Sequence, residues 1–227
     1  MTTTVITDNT TGGTYTGFRG SKILEGFPTA NWDGNSFLEC QRYGSSNWAS
    51  SVLVATGCTN IATDQSVSSA TLSLKINGSG GSDSGYQAGI YQLLVSFVEN
   101  EVTWNKRNSS TNWGTPGATG SGDSGASALA QYVLGIGSSG YIDFTGSALT
   151  SYIQTCVSAG TAPYFLLRKD GGGTNDSTYY TFSSYAASDG DRPKLTVVHT
   201  TAAASVTDPQ LQAMSRGMPR GMNRGMN

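Results

Sequence analysis

Short runs of apolar and β-branched residues, separated by clusters of Gly, Ser, Asn and Asp, recur along most of the chain. This spacing limits what the chain can fold into more than any other feature. The runs lie at 36–43, 51–55, 70–77, 86–94, 140–144, 164–169, 179–184 and 194–199. Each is shorter than a typical helix and is bounded by residues that supply turn geometry. Within 70–76, Leu72, Leu74 and Ile76 alternate with Thr71, Ser73 and Lys75, as in a strand with one wet face. Tyr164 to Leu167 is apolar on both faces, as in a central strand. Glycine-rich turns follow at 77–81, 169–176 and 188–193. The pattern predicts an all-β sandwich or barrel.

One helix is expected. Leu149, Tyr152, Ile153, Cys156 and Val157 form a single apolar stripe, with Ser147 as N-cap and Gly160 as the stop. A second short helix is predicted over 126–134, and 105–124 reads as loop. Charged residues are only 12% of the chain, about half the usual share, which excludes a coiled coil. A net charge of −2 argues against an electrostatic nucleic-acid binder. No stretch approaches the roughly 18 apolar residues of a membrane span. The N-terminal residues lack the basic and apolar regions of a secretory signal, so synthesis in a cytoplasm is expected.

The side chains that catalysis needs are scarce. The single histidine, His199, reads as structural at a sheet edge. Gly122-Asp123-Ser124-Gly125 is like a serine-protease nucleophile segment, but no histidine precedes it to take the proton. Glu99 and Glu101, if in a strand, would share a face about 7 Å apart and read as a solvated rim. Cys40, Cys58 and Cys156 have no metal-binding spacing and read as buried and reduced. Asp170, Asp176, Asp189 and Asp191, with Asn175, flank glycine-rich turns and are weak calcium candidates. No enzyme activity and no cofactor are expected.

Three blocks of residues resemble a known family. The first is Val67 to Leu74, following the stretch from Trp48 to Val54. The second is Val102-Thr-Trp104-Asn105 with Trp113 and Gly117-Ala118. The third runs from Ile142-Asp-Phe144 through the helix to Phe165-Leu-Leu-Arg168, then Tyr180 to Asp189 and Arg192-Pro193-Lys194-Leu195. In order and spacing they resemble the DNRLRE domain, a disaggregatase-related jelly-roll β-sandwich. The resemblance implies a non-catalytic module, similar to carbohydrate-binding modules and to sandwiches found in virus and phage structural proteins. It implies that Trp104 anchors the core and that Arg192 pairs with Asp189 or Asp191.

The C-terminal extension departs from that family. Arg-Gly-Met recurs at residues 216, 220 and 224, and no acid follows Asp208. Gly and Pro break helix and sheet, so Met214, Met218, Met222 and Met226 cannot be buried against their own segment. With Arg216, Arg220 and Arg224 they suit a groove on another protein. The expected organisation is a sandwich over 1–200 and an extended docking arm over 201–227. The leading expectation is a bacteriophage virion protein made in the host cytoplasm. It would be a homo-oligomeric decoration of the capsid, or a tail or fibre component. The alternative is a module that binds surface glycans through Trp32, Trp113 and Tyr185, which lie in polar loops where sugars could stack.

Overall fold

The computed structural model of the chain describes residues 1–7, 17–43, 47–81, 85–135, 137–171 and 178–201. The fold is all-β. Its strands are β1 (Thr2–Thr7), β2 (Arg19–Leu24), β3 (Phe37–Tyr43), β4 (Asn47–Val54), β5 (Gln65–Gly80), β6 (Tyr86–Leu93), β7 (Ser124–Leu134), β8 (Gly140–Thr145), β9 (Tyr164–Gly171), β10 (Tyr179–Ser183) and β11 (Lys194–Thr201). They pair antiparallel in the order β1-β11-β5-β10-β3-β4-β9-β6-β7, with β2 added to β4 and β8 to β5. The sheet curls on itself into a sandwich of the jelly-roll-like kind.

The main core lies between the facing halves. Leu72, Leu74, Phe182 and Leu195 from one half meet Leu53, Ile90, Phe165 and Leu167 from the other. The 70–76 alternation is realised: Leu72, Leu74 and Ile76 are buried, and Thr71, Ser73 and Lys75 are not. Helix α1 (Ser147–Ala159) closes one end, burying Leu149, Ile153, Cys156 and Val157. It stops at Gly160 in the left-handed region (φ 64°), where Gly160 N–H donates to Val157 O and Thr161 N–H to Cys156 O. Gly146, rather than Ser147, occupies the N-cap position. Among the described residues no helix is long and apolar enough to cross a membrane.

Three expectations change. Residues 126–134 are strand, within β7: their alanines favour a helix, but pairing with β6 from Tyr86–Leu134 to Leu93–Ser124 overrides local propensity. β1 and β2 add strands that the sequence pattern does not mark, because both are polar and β2 contains a glycine and a lysine. His199 is not on an edge strand, since β11 lies between β1 and β5.

The loop predicted over 105–124 is part of a longer strap, residues 94–123, lying across the outer face of β4, β9 and β6, with Ser124 already in β7. It makes a second core: Phe97, Val102, Trp104, Trp113 and Ala118 cover Val52, Val54, Leu166 and Tyr91. Asp123 holds the strap closed, its carboxylate accepting from the backbone N–H groups of Gly114 and Thr115, both at 2.8 Å. The protease-like tetrapeptide is therefore a loop clasp. Asp123→Ala leaves two backbone donors without acceptors and should cost about 1–3 kcal/mol of stability, measured by urea unfolding.

Candidate binding cleft

Antiparallel pairing of β4 with β9 sets two rows of side chains side by side. Val52 lies opposite Leu166, and Val54 opposite Tyr164, on the face that the strap covers. Two residues further along each strand the same rows continue as Ser50 and Trp48 on β4, and Arg168 and Asp170 on β9. The rows turn from apolar to polar there, and the strap's cover ends. Trp104, Pro116 and Thr119 of the strap form the opposite wall of a cleft of about 350 Å³.

Arg168 and Asp170 dominate its chemistry. The Arg168 guanidinium stacks on Tyr91, 3.7 Å from the ring centroid. Among the described residues it makes no hydrogen bond or ion pair, and burial lowers its pKa. Asp170 is the extra residue of a β-bulge, because Gln87 pairs with Gly171 but Ala88 with Lys169. Its carboxylate accepts from the Tyr91 hydroxyl and from Gln131 Nε2. Burial raises its pKa. Gly89 is required by this packing: a Cβ there would lie 2.8 Å from Tyr91 Cε2 and 3.0 Å from Asp170 Cβ. Trp48 is half-buried, with the Arg42 guanidinium 4.9 Å from its ring. Trp104 is held by the strap's close turn at Gly117 (φ 80°), where a Cβ would meet Trp104 Cη2 at 2.6 Å.

The glycan candidates read from the sequence are elsewhere. Trp113 is 4% exposed and donates from Nε1 to Thr103 O at 2.9 Å, so its faces are core surface rather than a sugar platform. Tyr185 is 5% exposed; its hydroxyl donates to Asp33 Oδ1 and accepts from Gly34 N–H, and burial pushes its pKa up. Trp32 is half-buried, edge-on to the exposed ring of Phe27, with Lys22 Nζ 4.7 Å from its centroid. The structure brings Tyr185 beside the Trp32-Asp33 loop and places neither in the cleft. Trp104 is buried, as the core role implies.

Of the calcium candidates, the Asp170 and Asp191 side chains are described, and each is engaged elsewhere. Asp170 is engaged in the cleft, and Asp191 pairs with Lys75 Nζ. Arg192 donates from Nε to Ala187 O. Asp176 and the Asp189 side chain lie outside the described residues. Among the described residues no group of three His, Cys, Asp or Glu could hold a metal ion. The three cysteines are buried and free, and burial pushes the Cys40 and Cys58 thiols up to about 12. Met214, Arg216, Met218, Arg220, Met222, Arg224 and Met226 lie outside the described residues as well.

Glu99 and Glu101 sit in a turn, not a strand, and do not face a common partner. Glu101 accepts from Ser109 N–H. Glu99 ties the strap to β2, accepting from Gly20 N–H at 2.7 Å and Arg19 Nη1 at 3.0 Å. Burial raises the Glu99 pKa; the Arg19 and Gly20 hydrogen bonds oppose the rise, and nearby Asp33 adds to it. A carboxyl raised on folding adds stability below its unfolded pKa and loses it as pH climbs through the folded pKa. Glu99→Gln should therefore flatten the fall in melting temperature between mildly acidic and neutral pH, read by thermal scans across that range.

No family model matches the chain, and neither does any curated protein.

Proposed function

We propose that the protein is a non-catalytic saccharide-binding module and that the cleft between β4, β9 and the strap is its site. The observation that carries this reading is the half-buried Trp48 ring in one cleft with a half-buried arginine that has no acid partner among the described residues. Sugars present apolar C–H faces and a rim of hydroxyls. The half-buried Trp48 ring suits the first, and Arg168, Asp170 and Thr119 suit the second. A forked guanidinium binds carboxylate or sulfate oxygens more strongly than hydroxyls, so saccharides carrying acidic groups are the favoured ligands. The test is a glycan array spanning neutral and acidic saccharides, probed with the wild type and Trp48→Ala. Signal lost in the variant supports the cleft; signal unchanged, or an array without signal, overturns it.

The Arg-Gly-Met extension supports a second element of the reading: attachment to a larger assembly. Its methionines and arginines suit a groove on another protein, and a virion component of a bacteriophage fits an arm of this kind carrying a glycan-gripping sandwich. Deleting residues 209–227 should abolish retention on the assembled particle while leaving array binding intact. Undiminished retention overturns this element alone.

A further inference from the structure

We propose that Thr4 is an acyl-accepting nucleophile activated by His199, a reactive centre distinct from the saccharide cleft. His199 Nδ1 lies 2.9 Å from Gln65 Oε1, and Nε2 lies 2.8 Å from Thr4 Oγ1. An amide oxygen can only accept, so Nδ1 carries the ring proton, and Nε2 of the neutral ring presents its lone pair to the Thr4 hydroxyl. Gln65 is fixed in this orientation by its own Nε2, which donates to Asp64 Oδ1 at 3.1 Å and Thr201 Oγ1 at 3.3 Å.

Strand register delivers all three groups. Thr2 lies opposite His199 and Thr4 opposite Val197, so Thr4 and His199 share a face across β1 and β11. A register shift at Val198–His199 pairs His199 with Val67 of β5, placing Gln65 on the ring's other side. The ring is largely buried, whereas Thr4 is half-exposed between exposed Thr3 and Val5. β1 ends the sheet, so an acyl donor can approach from its outer edge, along which no described strand pairs. Hydroxyl, imidazole and orienting amide in hydrogen-bonded series are the parts that nucleophilic acyl transfer needs.

The donor is an activated carboxylic ester. The Thr4 hydroxyl proton passes to His199 Nε2 as Oγ1 bonds to the donor's carbonyl carbon. The donor's ester C–O bond then breaks, and the imidazolium Nε2–H returns its proton to the departing oxygen. The products are an acyl ester on Thr4 and the free alcohol or phenol; nothing is oxidised or reduced. Gln65 acts through His199 as a positioning residue.

The full chain is incubated with p-nitrophenyl acetate, and the modified residue is located by fragmentation mass spectrometry. The expected result is acetylation of Thr4. His199→Gln should slow it by about 100-fold or more. Gln65→Leu should slow it and Gln65→Glu restore it, while Thr3→Val leaves it unchanged. Acetyl found only on amines in the wild type overturns the proposal without recourse to any variant. So does a Thr4 rate that ignores the loss of His199.

Discussion

Lys22→Met should remove about 3–5 kcal/mol of folding stability, the usual cost of deleting one member of a buried ion pair. Lys22 and Glu39 are only 4% and 6% exposed, and Nζ sits 2.5 Å from Glu39 Oε1. The wedge where β2 and β3 both reach β4 encloses this pair. Gln41 Nε2 donates to the other Glu39 oxygen at 2.5 Å, and the Ser51 hydroxyl donates to Glu39 O at 2.9 Å. The ammonium also lies 4.0 Å from the Phe37 ring centroid. Methionine fills the space and leaves the carboxylate buried without its cation. Lys22→Met combined with Glu39→Leu should recover most of the loss, because an apolar pair of similar volume avoids burying a charge. Urea unfolding of both variants provides the check. A single-variant loss below about 1 kcal/mol would place the pair among weakly contributing surface bridges, contrary to its burial.

Arg168→Ala should weaken binding of an acidic saccharide by about 10- to 100-fold, as removal of a charge-assisted hydrogen bond implies. The change in the free protein is small, because among the described residues the guanidinium is held by its stacking on Tyr91 and by no hydrogen bond or ion pair. Arg168→Lys should restore part of the affinity for acidic ligands, since an ammonium supplies charge without the fork. Neutral saccharides should lose less in both variants. Isothermal titration with matched neutral and acidic oligosaccharides separates these outcomes. Equal loss for the two ligand classes would assign Arg168 to wall shape rather than to anion recognition.

Much of the fold was legible because period-two alternation is local. Leu72, Leu74 and Ile76 declare their face without any partner strand. The Leu149-to-Val157 stripe and Gly160 declare the helix in the same way. β7 was not legible, since alanine-rich 126–134 has helical propensity and becomes strand only through β6. The cleft was legible only in part. The outward row Tyr164, Leu166, Arg168, Asp170 changes character midway, and that change marks where the strap's cover ends. Nothing local shows that Trp48 lies across from it, or that a bulge re-aims Asp170. Trp113 and Tyr185 misled for the converse reason. Polar neighbours suggest exposed loops, while long-range contacts to Thr103 and Asp33 bury the rings.

The chain contains four tryptophans, so indole N–H signals in a nitrogen-15 correlation spectrum test the cleft residue by residue. On titration with an array-positive oligosaccharide, the Trp48 and Trp104 signals should move together and saturate, with Trp113 unmoved. Movement confined to Trp32, or four signals that stay fixed at saturating ligand, would contradict a saccharide site between β4, β9 and the strap.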